Sequence, residues 1–164
     1  MSAILGLDLG ERRIGIAIAD GDGVGARPLA TLRRSRDIAT DALAIEALVT
    51  THDVVELVVG LPLEAGGGEG PQAAITRSWS AGVQRHLPDW LTLTLRDERL
   101  SSHVAETRLG PMPRGRSGGP PTKTQRDAYR ARVDREAAAV ILQDELDARR
   151  RADRPSPLKM ELPT

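Results

Sequence analysis

Alternating apolar positions at the start of the chain predict a short β-strand. In residues 3–9, leucines occupy one face of the strand, and Ile4, Gly6 and Asp8 occupy the other. Asp8 therefore places a carboxylate inside a strand that is otherwise apolar. A valine would pack better there, so the acid needs a chemical or a local structural reason.

A second alternating run follows after a very short connection. Residues 13–19 place isoleucines on one face, whereas glycine and alanine make the opposite face small. Because residues 10–12 are too few for a crossover, we expect an antiparallel hairpin. The turn sequence DGDG at residues 20–23 then leads to a third strand over residues 26–34.

The rest of the chain alternates between helical and strand-like stretches. Apolar residues at helical spacing, or a Pro or Ser at the first position, mark the predicted helices. The predicted elements are helices over residues 38–50, 71–86, from 101 or 102 onward and 127–150, and strands over residues 54–59 and 90–95. Proline and glycine make residues 111–121 a loop.

This order of elements predicts an α/β fold. A three-strand antiparallel meander followed by helix–strand units gives a mixed sheet with helices on both faces. The length suits a single domain, which we place over residues 1–150, and residues 151–164 are expected to form a flexible tail.

Composition excludes several classes of site. The chain has no cysteine, so a disulfide framework, a thiol nucleophile and a cysteine-based zinc site are excluded. No apolar run approaches about 18 residues, so no membrane span is expected. The first residues do not resemble a secretory signal. We therefore expect a cytoplasmic protein that does not act at a membrane.

The net charge is zero, but the charges are unevenly distributed. Residues 37–98 hold ten Asp or Glu against three Arg, whereas residues 108–135 hold seven Arg and one Lys against two Asp. The second stretch, called the basic segment below, is either a contact for an anionic ligand or an ordinary solvated loop.

Three carboxylates interrupt or border apolar elements. Asp8 lies near the end of the first strand, Glu98 lies three residues past the predicted strand 90–95, and Asp134 begins the apolar run of the last helix. Burying one unpaired carboxylate costs roughly several kcal/mol, and three that converge would repel one another unless a cation joined them. Hard divalent cations prefer oxygen ligands, and two such ions can clamp a phosphodiester during hydrolysis.

Taken singly, each acid also has a structural explanation. Asp8 could cap the end of its strand, and Glu98 could pair with Arg96 or Arg99. Asp134 could be a first-turn acid favoured by the helix dipole. The sequence leaves open whether the three side chains meet.

Four motifs in a fixed order give a more specific signal. GLDLGERRIGIAIAD, ELVVGLPL, DERLSS and VDREAAAVILQDELD lie within residues 3–147. Together they resemble the YqgF (RuvX-type) family, small bacterial proteins associated with maturation of pre-16S ribosomal RNA and with resolution of Holliday junctions. The resemblance implies a ribonuclease H-like fold with a five-stranded mixed sheet.

The resemblance also implies a set of functional residues. The catalytic and metal-binding acids of the family fall on Asp8, Glu98 and Asp134, with Mg²⁺ or Mn²⁺ as the implied cofactor. The residues expected to contact nucleic acid are Arg12, Arg99, Arg114, Arg116, Lys123, Arg126, Arg130 and Arg132.

The implied function is a nuclease that matures the 5′ end of pre-16S rRNA, acting as a monomer or a homodimer. A Holliday-junction resolvase, which acts on structured DNA, is the alternative within the same chemistry. A non-catalytic RNA-binding or assembly protein is an alternative of another class. An actin-like ATPase also opens with DLG, but it needs a second domain and a second phosphate loop.

Overall fold

The computed structural model describes residues 2–21, 25–99 and 101–154. Within these ranges the chain forms five strands and four helices. They are β1 (Ala3–Leu9), β2 (Arg13–Asp20), β3 (Arg27–Arg33), α1 (Ile38–Thr51), β4 (Val54–Pro62), α2 (Pro71–His86), β5 (Thr92–Glu98), α3 (Ser101–Leu109) and α4 (Lys123–Ala152). None of the described helices is long and apolar enough to span a membrane.

All five strands lie in one mixed sheet, as predicted. Their order across the sheet is β3-β2-β1-β4-β5. The first three strands pair antiparallel, whereas β4 pairs parallel to β1 and β5 pairs parallel to β4. The meander and the two added parallel strands give the ribonuclease H-like sheet that the family resemblance implied.

One face of the sheet, called the large-residue face below, is filled by leucine, isoleucine and valine. The strand residues Leu5, Leu7, Ile16 and Leu57 are fully buried there. They form one cluster with apolar residues of α1 and α2, including Ile45. Fully burying each large side chain stabilises the fold by about 1.5–3 kcal/mol.

The opposite face, called the small-residue face, is covered by α4. Ala17, Ala19 and Val58 pack there against alanines, Ile141 and Leu142 of the helix. A Cβ at Gly6 would lie 2.7 Å from the Cβ of Leu142, so the helix approaches the sheet closely only because that side chain is missing. Helices therefore cover both faces, as predicted.

Two strands extend beyond their predicted ends. The predicted strand 54–59 continues to Pro62, and the predicted strand 90–95 runs from Thr92 to Glu98. The reason is mutual pairing, because Gly60, Leu61 and Pro62 are in register with Arg96, Asp97 and Glu98. Glu98 is thus the last residue of β5, and the prediction that it lies three residues past a strand is wrong.

The last helix is also longer than predicted. It begins at Lys123 rather than 127, because Thr122 and Gln125 form a reciprocal capping box at its start. It ends at Ala152, so the predicted tail does not begin at residue 151. The rest of that tail, residues 155–164, and part of the predicted turn, residues 22–23, lie outside the described residues.

Candidate active site

Asp8 occupies the small-residue face, one residue before the end of β1. It pairs in register with Gly15 of β2. The pKa of the Asp8 carboxyl is raised to about 7, chiefly by burial and in addition by the charges of Asp134 and Glu98. Asp8 has no hydrogen-bond or ion-pair partner among the described residues, so no neighbouring cation offsets this cost.

Glu98 comes to the same region from the end of β5. Its side chain is buried, with 8% of the residue exposed, and its Oε1 accepts a hydrogen bond from the Arg99 backbone N–H at 3.1 Å. Burial raises the pKa of the Glu98 carboxyl to about 7, and the Asp144 charge acts in the same direction. The Arg99 backbone N–H and the Arg96 charge oppose this rise only in part.

Asp134 is brought to this region by the close approach of α4 to β2. A Cβ at Gly15 would lie 1.9 Å from the carbonyl oxygen of Asp134, so only glycine lets the helix pass over the strand at this point. The side chain of Asp134 is held by Arg13, whose Nε donates to Oδ2 at 2.5 Å. This ion pair is partly exposed, and no local pattern in the sequence predicted it.

A cleft of about 200 Å³ brings Asp8 and Glu98 together. Gly60, Ser101 and Ile141 are among its other lining residues, and Arg99 stands at its edge. Asp134 does not line this cleft, although its charge acts on Asp8. Two of the three predicted acids therefore share one cavity, and the third lies beside it, turned toward Arg13.

This geometry fits a divalent metal ion in part. Among the described residues, no three His, Cys, Asp or Glu side chains are grouped as ligands for one ion. Asp134 is instead paired with Arg13, and it does not line the cleft that Asp8 and Glu98 share. Asp8 and Glu98 still offer carboxylate oxygens in the cleft, and carboxylate oxygens are the donors that Mg²⁺ and Mn²⁺ prefer.

The basic residues expected to contact nucleic acid fall in three places. Arg99 lies at the cleft, whereas Arg12 lies across the β1–β2 turn in a different groove. The other six are exposed and do not line the cleft: Arg114, Arg116, Lys123, Arg126, Arg130 and Arg132. Two of them are tied to backbone carbonyls of the basic segment, Arg114 to Gly118 and Arg126 to Pro121.

Three features of this region were not predicted from the sequence. They include Arg13 as the partner of Asp134 and Asp144 as a charge that acts on Glu98. The arginines of the stretch RRSR at residues 33–36 were also overlooked, although the motif is visible in the sequence. Counting charges by segment concealed them because an acidic stretch begins at residue 37.

Comparison with known proteins identifies the family. A family model described as RuvX, Holliday junction resolvase, matches residues 2–148. The chain belongs to the RuvX family. This confirms the resemblance seen in the four motifs, and it removes the actin-like ATPase from consideration.

Relatives of this RuvX chain carry a consistent name. A protein of Myxococcus xanthus is 38% identical over 153 residues, which cover 91% of this chain and 90% of the relative. One from Anaeromyxobacter dehalogenans (strain 2CP-C) is 43% identical, covering 88% of this chain and 96% of the relative. Both are named as proposed pre-16S rRNA nucleases.

A more distant similarity exists among solved structures. RuvC of T. thermophilus in complex with a Holliday junction aligns with 90% of this chain and 96% of its own, at 14% identity and a TM-score of 0.46. That alignment is too distant to assign residue roles in the RuvX chain.

Proposed function

We propose that this RuvX-family protein is a divalent-metal-dependent nuclease that hydrolyses phosphodiester bonds in precursor 16S rRNA. The observation that carries the proposal is the cleft between β1 and β5, which is lined by the half-buried Asp8 and the buried Glu98. The pKa values of both carboxyls are raised to about 7, and cations compensate little for this. Deprotonating the two side chains therefore destabilises the fold. Such a cost is typical of a catalytic site.

Asp8 and Glu98 are the residues that would hold the metal, and Asp134 is the third acid of the site. Asp134 would contribute most directly if Arg13 released it, since one oxygen of its carboxylate now accepts from Arg13. A bound Mg²⁺ or Mn²⁺ supplies Lewis-acid stabilisation of the phosphate and an activated water.

The chain's own groups do the remaining work. The buried walls of the cleft, including Gly60 and Ile141, exclude bulk water from the two carboxylates. Arg99 at the edge of the cleft is placed to contact a phosphate oxygen, which suits its exposed guanidinium. The six exposed basic residues of the basic segment and the start of α4 would add contacts to flanking phosphates.

The choice of substrate rests on the relatives. The two relatives named above are proposed pre-16S rRNA nucleases, which favours ribosomal RNA. The family description, Holliday junction resolvase, supports structured DNA as the second candidate. A resolvase must present two active sites to one junction, so that alternative also requires a homodimer, which solution mass with and without a junction would reveal.

Asp8→Asn tests the proposal directly. The change is nearly isosteric, but it removes the charge that would hold the metal. We expect Mg²⁺- or Mn²⁺-dependent cleavage of precursor rRNA to fall by roughly two to three orders of magnitude. The melting temperature without metal should not fall, because repulsion among the acids decreases.

Asp97→Asn is the matched control, since Asp97 is an exposed neighbour of Glu98 outside the cleft. It should cleave like the wild type.

Normal cleavage by Asp8→Asn would place the metal elsewhere, and unfolding would make Asp8 a structural cap. Binding of RNA with no cleavage by the wild type would favour the non-catalytic assembly protein. Faster cleavage of a four-way junction than of precursor rRNA would favour the resolvase.

A further inference from the structure

A second and larger groove lies across the β1–β2 turn from the acidic cleft. Its volume is about 1040 Å³, and four arginines line it: Arg12, Arg33, Arg34 and Arg36. Glu11 is the one acid among its lining residues. We refer to it as the arginine groove.

The charges of the arginine groove are not neutralised within the described part of the chain. Elsewhere, arginines such as Arg13, Arg27 and Arg149 form ion pairs with acids. None of the four groove arginines does so. Guanidinium groups gathered without ion-pair partners repel one another, and their planar donors match phosphate oxygens well.

The segment that carries Arg33, Arg34 and Arg36, at the end of β3, is held in a fixed position. Asp41, which is 2% exposed, accepts a hydrogen bond from the Ser35 backbone N–H at 2.7 Å and another from Trp79 Nε1 at 3.0 Å. Arg34 donates from its side chain to the Gly10 carbonyl at 2.9 Å, which ties the segment to the β1–β2 turn. A solvated surface loop has no need of a buried carboxylate anchor, whereas a binding site gains from such preorganisation.

The groove is continuous with the proposed active site along the chain. Leu9 lines the acidic cleft, and Glu11 and Arg12, just after it in the same turn, line the arginine groove. A strand whose reacting phosphate lay at Asp8 and Glu98 would therefore meet the groove arginines once it crossed the turn.

The lining of the groove favours the backbone of a nucleic acid over its bases. Trp79 is the groove's aromatic residue, but it is 3% exposed and its ring N–H is already bound to Asp41. It cannot serve as a stacking platform, which needs an open ring face. Ile75 is 42% exposed and, with Ile38 and Ala74, gives the groove an apolar side. Ser35 and Ser78 are the only uncharged polar side chains among the other described lining residues, so most of the polar contacts that the groove offers come from arginine.

We propose that the arginine groove binds the phosphate backbone of the substrate nucleic acid, on the side of the β1–β2 turn opposite the acidic cleft, without reading its sequence. This inference rests on the proposed function only in taking nucleic acid as the ligand. Binding can be measured without cleavage, so the two ideas can fail separately.

The first experiment measures the salt dependence of binding. Wild type and Arg33→Ala/Arg36→Ala would be titrated with a fluorescent single-stranded RNA fragment in EDTA, which prevents cleavage. We expect Kd to rise about tenfold or more and the slope of log K against log salt to flatten by about 1.4 units, since single strands contribute about 0.7 per phosphate contact.

The matched control is Arg85→Ala/Arg151→Ala, which removes the same charge from exposed sites outside the groove. It should bind and cleave like the wild type. Equal losses in the two double variants would overturn the proposal, because they would show only a general effect of net charge. Unchanged binding by the groove variant would overturn it as well.

A second experiment locates the RNA. Because the chain has no cysteine, Ser78→Cys in the groove accepts a photo-crosslinker at one known position. Thr50→Cys, exposed near the far end of α1, is the control position. We expect RNA crosslinking from Ser78→Cys well above that from Thr50→Cys, and equal yields would overturn the proposal.

Steady-state cleavage separates this inference from the proposed function. The groove variant should raise KM while keeping kcat, whereas Asp8→Asn should lower kcat with binding retained. A wild type that binds RNA through the groove but does not cleave it would end the nuclease proposal and leave the groove standing. If the wild type cleaved RNA and the groove variant had an unchanged KM, the groove proposal would end and the nuclease proposal would stand.

Discussion

On one face of the sheet, large side chains fill the space beneath α1 and α2; on the other, missing side chains let α4 come close. Leu57 and Ile16 are fully buried on the first face. Gly6 and Gly15 leave no room for a Cβ on the second. The same strands therefore serve stability on one side and positioning on the other.

The contrast explains why the carboxylates lie where they do. A strand residue on the large-residue face is surrounded by hydrocarbon, and an acid there would have no partner. On the small-residue face, the helix passes so close to β2 that Asp134 acts electrostatically on Asp8. Substitutions on the two faces should therefore separate stability from activity.

The largest effect on stability is expected on the large-residue face. Leu57→Ala removes a fully buried side chain and leaves a cavity, which typically costs about 2–5 kcal/mol. Cleavage per folded molecule, measured well below the melting temperature, should stay near the wild-type value because the residue faces away from the cleft. Chemical denaturation gives the free energy of unfolding. A large loss of specific activity in folded protein would contradict the division between the faces.

Gly15→Ala should have a smaller effect on stability and a larger one on activity. The new Cβ would meet the backbone of Asp134 at 1.9 Å, and a backbone cannot move aside as a flexible side chain can. We expect a loss of about 1–3 kcal/mol from overpacking, together with a clear drop in kcat as α4 shifts.

Gly82→Ala provides the control for that change. Its new Cβ would meet the end of the Ile38 side chain at 2.8 Å, which can adjust, and it lies on α2 away from the acids. It should keep normal cleavage. If Gly15→Ala cleaved as well as Gly82→Ala, the position of α4 would not matter to the site.

The smallest effect concerns pH in the metal-free protein. Burial and neighbouring charges raise the pKa of Asp8 and of Glu98 to about 7, whereas carboxyls of an unfolded chain titrate near about 4. Between these values the folded protein binds more protons than the unfolded chain. The free energy of unfolding therefore falls as pH rises from about 4 to about 7, and it levels off once both carboxyls are deprotonated. From pH 5 to pH 8, the free energy of unfolding should fall by roughly 1–2 kcal/mol more in the wild type than in Asp8→Asn.

Magnesium should reverse that trend, because it binds the deprotonated carboxylates. The gain in melting temperature on adding Mg²⁺ should therefore be larger at pH 8 than at pH 5.5. Thermal melts of both proteins with and without Mg²⁺ give this comparison. Identical pH profiles for wild type and Asp8→Asn would show that deprotonation of Asp8 does not lower the free energy of unfolding.

Local patterns in the sequence determined the strands of the hairpin and the place of Asp8. Alternation has a period of two, so it assigns each residue of β1 and β2 to a face without knowledge of what covers that face. The small residues of β2 and the apolar run of α4 were visible in the same way. The same patterns made Asp8, Glu98 and Asp134 candidates, and the four motifs then identified the family whose acids fall on these three positions.

Tertiary structure alone decided how these pieces meet. Glu98 belongs to β5 because β4 pairs with it, and the predicted end of that strand was wrong for lack of this partner. Arg13 and Asp134 are 121 positions apart, yet they form an ion pair beside the cleft. The arginine groove likewise combines the β1–β2 turn, the loop after β3 and α2. Each depends on contacts between distant segments, and a local pattern of apolar and polar residues cannot encode which segments those will be.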